Sequence, residues 1–391
     1  MEESTYLLKH RDTDVAEFRL DKYSNNVDYI KIFDETFSPV NTKAGDTAKA
    51  VSLNSWLYNR CIPNSRSGAA RVKKIYNVEN LRDAMLLKHG LSLSDHFWID
   101  HKPFNLKWKN INLFKNRYDT ALGEILFDRK LKLVERTEGS NPDVSTGGLL
   151  KKRWEYNDSE NKSYLIKGGS GEKRQEPFNE YFASILFEKL GFEHVPYLVR
   201  YEHGEWVSVC PCIADEKTEM VSAEDLRRKY GIAERYEDIV RLAETKNCAS
   251  FKDSVDKMII ADYIIGNTDR HWNNFGILRD AESGTWNGLI PLYDNGYSLW
   301  NNDYVRNDIP VKNLSFDEYN EDSIRRVNIS RHVKDVPNLT AVFDAAFKEY
   351  CNTSRKEELR GGIEARQREV ENLIKEGIRS LGITRDVPKD S

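Results

Sequence analysis

The stretch that decides the fold is Ile264–Leu278, which reads IIGNTDRHWNNFGIL. It opens with an apolar run and then presents Asp269 and Asn274, five positions apart. On one loop, a carboxylate can act as a base and a carboxamide oxygen can bind a hard metal ion. Taken alone, the same residues also fit a turn that is capped by side chains, and His271 also fits a structural hydrogen-bonding role. The stretch therefore predicts a catalytic loop only in the company of other site residues.

A second acidic residue follows downstream. In Ile290–Gly296, which reads IPLYDNG, apolar residues lead to Asp294 and to a turn that contains Gly296. Mg²⁺ prefers oxygen ligands and keeps several waters, so an aspartate here can bind the magnesium ion that bridges nucleotide phosphates. Asp294 and the loop around Asp269 together predict one site for a nucleotide and Mg²⁺.

Residues upstream of these loops supply groups that suit a phosphate. Lys167 ends an apolar strand, and Glu180 lies on the following helix, where it can orient the lysine. One strand earlier come Gly147 and Gly148, whose backbone amides can approach phosphates because no Cβ is in the way. A glycine pair alone is a weak signal. The order of all these parts along the chain is the order found in protein kinases.

Composition and charge bound the class of protein. The chain has 391 residues, 39% hydrophobic and 11% aromatic, which excludes disordered, collagen-like and low-complexity classes. The net charge of −4 gives no global basic field, so no direct binding of nucleic acid is expected. Met258–Ile265, the most apolar stretch, is too short to span a membrane. Five scattered cysteines and an acidic start predict a soluble, cytoplasmic protein.

The hydrophobic pattern divides the chain into three parts. Residues 1–135 combine short strands and helices in an α+β region of unassigned role, which ends near the turn-rich Thr137–Ser145. Residues 136–214 predict strands and the helix Pro177–Leu190, which Gly191 closes. Residues 215–391 are mainly helical, and the last helix, Arg355–Leu381, is expected to break at Gly361-Gly362.

Two further expectations concern the first part. Helices are expected to begin at Ser52 and to span Val78–His89. A modest basic stretch is expected to be a solvated face: Arg66, Arg71, Lys73 and Lys74.

Longer motifs carry a family resemblance. Ile265–Phe275 contains the order Gly-Asn-x-Asp-x-His-x-x-Asn-Phe. Four shorter motifs surround it: Ser145–Lys152 (STGGLLKK), Ser163–Lys167 (SYLIK), Asn179–Phe182 (NEYF) and Pro291–Asp294 (PLYD). These resemble the catalytic loop, phosphate loop, lysine strand, Asn-Glu-Tyr helix and Pro-x-Tyr-Asp motif of the HipA-like serine/threonine kinases. The catalytic-loop match is the most specific, and the resemblance covers roughly residues 145–300.

The resemblance implies an α+β chain with a bilobal, protein-kinase-like fold of the HipA type. A small β-rich N-lobe and a mainly helical C-lobe would follow the N-terminal α+β extension. The implied activity is ATP- and Mg²⁺-dependent transfer of the γ-phosphoryl group to a Ser or Thr hydroxyl of a protein. The implied catalytic residues are Asp269 and His271, and the implied metal ligands are Asn274 and Asp294. The implied nucleotide-binding residues are Gly147, Gly148, Lys152, Lys167, Glu180, Cys212 and Asp215.

Two segments of this resemblance carry more specific implications. In this family a serine of the phosphate loop can be autophosphorylated, and Ser145 is the matching position, although it also fits a turn cap. A phosphate dianion there would compete with ATP for the same groups. The family's Glu-x-Phe-Asp hinge is replaced by Val209–Asp215, VCPCIAD, whose proline removes one backbone donor. Cys212 and Asp215 are the implied contacts to adenine and ribose.

The resemblance also implies a partner and leaves alternatives. Toxin-type members pair with a small helix-turn-helix antitoxin that binds DNA, but the first 120 residues do not resemble their usual N-terminal subdomain. The alternatives are a pseudokinase-like binding module for a DNA-binding repressor, a lipid kinase, and nucleotidyl transfer on the same fold. The lipid alternative arises because Asp-Arg-His-x-x-Asn also resembles the phosphatidylinositol kinase loop. No basic amphipathic segment accompanies it, so no membrane partner is expected.

Overall fold

The computed structural model describes residues 5–101, 106–127, 139–301, 303–305, 316, 324 and 327–380. Within these ranges the chain forms three antiparallel sheets in succession, each packed against helices. The divisions at residues 135 and 214 stay predictions, and Leu381 lies outside the described residues.

The first sheet belongs to the N-terminal region. Its strands are β1 (Thr5–His10), β2 (Thr13–Leu20), β3 (Val27–Ile32) and β4 (Phe97–His101), in the order β3-β2-β1-β4. The described residues of this region also form five helices: α1 (Asp46–Asn59), α2 (Ala69–Tyr76), α3 (Leu81–Leu87), α4 (Trp108–Ile111) and α5 (Ala121–Phe127). Alternating apolar residues of the strands, such as Leu8 and Phe18, pack on Trp56 and Leu57 of α1.

The second sheet positions the lysine strand. A short 3-10 helix, Pro142–Ser145, leads to β5 (Lys152–Asn157), β6 (Lys162–Gly168), β7 (Leu198–Glu202) and β8 (Glu205–Pro211), in the order β5-β6-β8-β7. Between β6 and β7 runs α6 (Glu176–Leu190), which starts with a proline in its first turn and ends at Gly191 in the left-handed conformation. The predicted helix and strands of this part are therefore present.

The last part is mainly helical and carries a small third sheet. Its strands are β9 (Thr218–Ser222), β10 (Gly276–Asp280) and β11 (Trp286–Leu289), in the order β11-β10-β9. Its helices are α7 (Ala223–Tyr230), α8 (Tyr236–Thr245), α9 (Phe251–Ile265), α10 (Leu339–Ala346) and α11 (Thr353–Ser380). Phe182 of α6, Ile260 of α9 and Phe343 of α10 share one hydrophobic core. Helix α6, which follows the lysine strand β6, is thus packed in the core of the helical part.

The structure corrects three local predictions. Helix α1 begins after Gly45, so Ser52 lies inside it rather than at its start. The predicted helix Val78–His89 is shorter, because Asn80 caps α3 by accepting a hydrogen bond from the Asp83 amide. Helix α11 runs through Gly361-Gly362 without a break. A Cβ at Gly362 would lie 2.5 Å from Cη2 of Trp300, so this glycine permits close packing instead of ending the helix.

The absence of a membrane-spanning segment was also an expectation from sequence. Within the part of the chain that the structure describes, no helix is long and apolar enough to cross a bilayer. All five cysteines are free thiols.

Candidate active site

Lys167 lies at the centre of the candidate site. It sits on β6 directly opposite Lys152 of β5, so the two side chains emerge on the same face of the sheet. The Nζ atom of Lys167 donates hydrogen bonds to Oε1 of Glu180 at 3.1 Å and to Oδ1 of Asp294 at 2.8 Å. Lys167 and Glu180 are buried. The predicted partnership of lysine and glutamate is thus present, and Asp294 joins it.

A short bridge between the two lobes brings Asp294 to the lysine. The amide of Val195, after α6, donates to the carbonyl of Leu292 at 2.9 Å, and the amide of Leu292 donates to Glu193 at 3.0 Å. Next to Asp294, the amide of Asn295 donates to Oε2 of Glu180 at 2.9 Å. Glu180 therefore binds both the lysine and the backbone of the Asp294 loop, and so fixes their relative position.

The ionisation of Asp294 follows from this arrangement. Burial by itself would raise its pKa, but the positive charges of Lys167 and Lys152 outweigh burial and hold the pKa of Asp294 below its ordinary value. Its backbone has a φ of 56°, a left-handed conformation that is strained for a residue with a Cβ. Asp294 thus carries a full negative charge at neutral pH on a backbone that the surrounding contacts hold in place.

Arg270 organises the loop that carries Asp269, and sequence reasoning missed it. Its buried guanidinium pairs with Asp262 of α9 and donates to the carbonyls of Asn274 at 2.7 Å and Tyr293 at 2.6 Å. One side chain therefore ties α9 and both predicted loops together. The signal in the sequence was Asp262, a charge inside the most apolar stretch, because a buried carboxylate requires a partner.

The loop itself brings the other predicted residues together. The amide of Asp269 donates to Oδ1 of Asn267 at 3.0 Å, and Nδ2 of Asn274 donates to the carbonyl of Asp269 at 2.8 Å. Burial raises the pKa of Asp269; His271 lowers it, and the negative charge of Asp294 raises it further. Nδ1 of His271 accepts a hydrogen bond from the Asn273 amide at 3.2 Å, so the structural role that the sequence left open for His271 has a partner.

The predicted phosphate loop, Ser145–Lys152, ends at Lys152, which lies opposite Lys167 in the sheet. Gly148 has a φ of 87°, a left-handed conformation that favours glycine, and a Cβ at this position would lie 2.6 Å from Nζ of Lys152. Burial lowers the pKa of Lys152 to about 7, with Asp294 acting in the opposite direction. Ser145 is buried, and its hydroxyl has no hydrogen-bond partner among the described residues.

Cys212 and Asp215, the residues implied for adenine and ribose, lie in other environments. The amide of Cys212 donates to the carbonyl of Ser163 at 2.8 Å, and its thiol donates to the carbonyl of Leu93 at 3.1 Å. This amide is therefore already used by the sheet. Oδ1 of Asp215 accepts hydrogen bonds from the amides of Lys217 and Thr218, both at 2.7 Å, and so caps the turn before β9. Among the described residues, neither side chain forms a hydrogen bond with Lys167, Glu180 or Asp294.

Oxygen ligands for a magnesium ion are present in the same group. Asp294 uses one carboxylate oxygen for Lys167, and its side chain stays 31% exposed, so it can still bind a cation. Asn274 uses its amide nitrogen for the Asp269 carbonyl, which leaves the oxygen Oδ1 as a ligand atom. A carboxylate and a carboxamide oxygen are the hard donors that Mg²⁺ prefers, so these residues fit the predicted metal.

A second cluster of ligating side chains lies between the first and third sheets. His10, His96 and Glu219 are buried, and their ligand atoms lie within 4.8 Å of one another. The guanidinium of Arg279, however, lies 2.8 Å from Oε1 of Glu219, so a cation bound there would face a buried positive charge. Nε2 of His10 lies 2.9 Å from both oxygens of Glu219. This cluster is a polar contact that joins the N-terminal sheet to the third sheet.

Part of the chain matches a known protein family, and its fold is similar to that of solved structures. A family model described as phosphatidylinositol 3- and 4-kinase matches residues 203–332. No curated protein matches the chain. The structure of the Shewanella oneidensis MR-1 toxin-antitoxin system HipA and HipB with operator DNA contains a similar chain, at 13% identity and a TM-score of 0.50. That alignment covers 97% of this chain and 92% of that chain.

The proinflammatory kinase CtkA of Helicobacter pylori is a second similar structure. It is 16% identical, with a TM-score of 0.47, and the alignment covers 59% of this chain and 95% of that chain. Because the HipA alignment covers 97% of this chain, it extends into the N-terminal region. The expectation that the sequence of the first 120 residues does not resemble the toxin-type subdomain stays a prediction. The chain has the bilobal, protein-kinase-like α+β fold of the HipA type.

Proposed function

We propose that the protein is a kinase that uses ATP and Mg²⁺ to transfer the γ-phosphoryl group to a Ser or Thr hydroxyl of a protein. The observation that carries the proposal is the contact of Lys167 with both Glu180 and Asp294, at 3.1 and 2.8 Å. A buried lysine that two carboxylates hold in place is a preorganised cation for the α and β phosphates. A scaffold has no need to retain this group together with Asp269 and Asn274.

Asp269 is the proposed catalytic base. A substrate hydroxyl would donate its proton to the carboxylate as its oxygen attacks the γ-phosphorus, and the bond from that phosphorus to the β-γ bridging oxygen would break, with ADP leaving. Burial and the charge of Asp294 raise the pKa of Asp269, which makes it a better proton acceptor than an exposed aspartate. The hydrogen bond from Nδ2 of Asn274 to the backbone carbonyl of Asp269 holds the backbone of Asp269 in position.

Asn274 and Asp294 are the residues that would hold magnesium. The ion supplies neutralisation of charge on the nucleotide phosphates. Asp294 is suited to this role because its carboxylate is ionised at neutral pH and is already oriented by Lys167. Lys152 lies on the same face of the sheet as Lys167, and it would bind phosphate oxygens together with the glycines of the phosphate loop.

Autophosphorylation at Ser145 forms part of the proposal. The hydroxyl of Ser145 is buried and without a hydrogen-bond partner in the described structure. The phosphate loop must therefore leave this position before Ser145 can accept a phosphoryl group. Once modified, the residue would carry a dianion that the same buried place could not accept without a large desolvation cost.

The test is phosphoryl transfer from γ-labelled ATP to the protein itself and to a cell lysate. We expect label on the wild type and on Asp344→Asn, a surface control whose exposed carboxylate pairs with Arg360. Asp269→Asn should transfer about 10²–10⁴-fold more slowly. Equal and negligible transfer by wild type and Asp269→Asn would exclude catalysis and favour a binding module.

Magnesium has its own test. Calorimetry should give tighter ATP binding with Mg²⁺ than without it in the wild type, and Asp294→Asn should lose most of that difference. An unchanged magnesium dependence in Asp294→Asn would remove the metal-site assignment. The intact mass of a modified substrate distinguishes an added phosphate from an added AMP. An added AMP would show nucleotidyl transfer instead of phosphoryl transfer.

A second candidate function is phosphorylation of a lipid headgroup. The match of residues 203–332 to the phosphatidylinositol 3- and 4-kinase model includes the catalytic loop and favours this alternative. Assay with γ-labelled ATP and phosphatidylinositol vesicles, compared with a protein lysate, distinguishes the two. The partner alternative, a small helix-turn-helix antitoxin, follows from the likeness to a HipA that was solved with HipB and DNA. Co-purification with a co-expressed repressor tests it.

A further inference from the structure

One arginine of the N-terminal region binds three successive carbonyls of the phosphate loop. Arg66 lies just before α2, and its Nε donates to the carbonyl of Gly148 at 2.7 Å. Its Nη2 donates to the carbonyl of Thr146 at 2.5 Å and also to that of Gly147. Arg66 is only 4% exposed, so the expected solvated face was wrong for this residue.

The amides of the same peptides are turned the other way. In a planar trans peptide the C=O and the following N–H point in opposite directions. Since the carbonyls of residues 146–148 face Arg66, the N–H groups of Gly147, Gly148 and Leu149 face away from it. Among the described residues, none of these three N–H groups has a hydrogen-bond acceptor. Backbone N–H groups without an acceptor are free to donate to the oxygens of an anion such as a phosphate.

The charge of Arg66 also reaches the site. Burial lowers the pKa of Arg66 to about 10, so it stays protonated at neutral pH, and its charge is one of the influences that lower the pKa of Lys152. The acidic group that acts on Arg66 is Asp143, a buried carboxyl whose pKa burial raises to about 7. The hydrogen bonds between the Arg66 guanidinium and the loop all go to backbone carbonyl oxygens of residues 146–148.

We propose that Arg66 is a positioning residue for the nucleotide. By binding the carbonyls of residues 146–148, it holds the phosphate loop in the conformation that presents free amides to the phosphates of ATP. The inference rests on the proposed function and deepens it, because it gives the N-terminal region a part in nucleotide binding. Arg66 itself touches no reacting atom, so its loss should weaken ATP binding much more than it slows the chemical step.

The binding test uses Arg66→Gln, Arg66→Lys and the control Arg71→Gln. Arg71 is a matched control because it lies on α2 and donates to a carbonyl, that of Ile125, outside the phosphate loop. We expect Arg66→Gln to raise the Kd and KM for ATP at least about tenfold, with kcat at saturating ATP within about threefold of wild type. The Kd and KM of Arg66→Lys for ATP should lie between those of Arg66→Gln and the wild type, since one ammonium group cannot make all the hydrogen bonds of a guanidinium. Arg71→Gln should bind ATP as the wild type does.

A second measurement needs no nucleotide. Trypsin cleavage after Lys151 reports how firmly the phosphate loop is held, and it should be faster in Arg66→Gln than in Arg71→Gln or wild type. Thermal unfolding checks that each variant is folded, and if Arg66→Gln is not, Arg66→Lys decides by the same measurements.

Specific results would overturn the inference. A folded Arg66→Gln with the wild-type Kd and the wild-type cleavage rate shows that Arg66 does not position the loop. Equal losses of kcat and affinity show a general structural role instead. If the wild type itself binds no ATP, the proposed function fails and the nucleotide part of this inference falls with it, whereas the cleavage rates still show whether Arg66 anchors the loop.

Discussion

Nζ of Lys167 lies 2.8 Å from Oδ1 of Asp294, although 127 positions separate the two residues in the chain. The lysine comes from a strand of the second sheet, and the aspartate comes from a loop after the third sheet. Glu180 completes the contact by binding the lysine and the amide of Asn295. A single ionic group therefore links both lobes at the proposed nucleotide site.

Removal of Lys167 should destabilise the fold as well as abolish ATP binding. Lys167→Met leaves the buried carboxyl of Glu180 without its cation, which costs about 3–5 kcal/mol in proteins. Urea unfolding of Lys167→Met should show a loss of this size, and Lys167→Met/Glu180→Gln should regain part of it because the unpaired charge is gone. A Lys167→Met protein as stable as the wild type would show that the pair contributes nothing net.

ATP binding should take up protons at neutral pH. The pKa of Lys152 is about 7, so the lysine is partly neutral in the free protein, and phosphate oxygens beside it would raise that pKa. Affinity should accordingly fall as the pH rises above 7, by at most about tenfold per pH unit for one proton. Calorimetry in two buffers of different ionisation enthalpy measures the uptake. Lys152→Met should bind ATP more weakly and without proton uptake. Proton uptake that persists in Lys152→Met would contradict its assignment to Lys152.

The contact between the first and third sheets should depend on Glu219. Glu219→Gln leaves the buried guanidinium of Arg279 without a carboxylate, which we expect to lower the free energy of unfolding by about 3–5 kcal/mol. Burial would raise the pKa of Glu219, but Arg279 and the two histidines hold it well below its ordinary value of 4.5.

The sign of the pH effect follows from this shift. Glu219 stabilises the fold fully above pH 4.5, and the contribution is lost as the pH falls toward its lower pKa in the folded protein. Unfolding curves of wild type and Glu219→Gln should therefore converge in acid. A difference between them that is constant from pH 7 to pH 3 would contradict the assigned charge.

Adjacent glycines of α11 should respond in opposite directions to alanine. A Cβ at Gly361 meets nothing within 4 Å, so Gly361→Ala should stabilise the protein by about 0.5–1 kcal/mol through helix propensity. A Cβ at Gly362 would lie 2.5 Å from Trp300 and 2.7 Å from Val305, so Gly362→Ala should destabilise it by about 1–3 kcal/mol through overpacking. Thermal unfolding of the two variants gives the comparison, and the same sign for both would show that packing against Trp300 does not decide this site.

Local patterns predicted the second sheet and its helix well. Helix α6 was recognised because its apolar spacing, its proline in the first turn and its closing Gly191 are all local signals. The break predicted at Gly361-Gly362 was wrong. Gly362 allows close packing against Trp300, which is distant in sequence and so gives no local signal. Strand β4 and the third sheet were not predicted, since each depends on pairing with distant strands.

The sequence by itself determined which chemical groups the protein has and in which order: the glycine loop, Lys167, Glu180, the Asp269 loop and Asp294. Only the tertiary structure decided that Arg66 and Arg270 would be buried and would bind the backbones of these loops. The physical reason is that periodicity and turn chemistry act between residues a few positions apart. The burial of a charged side chain depends on which distant carbonyls and carboxylates the folded chain brings within hydrogen-bond distance of it.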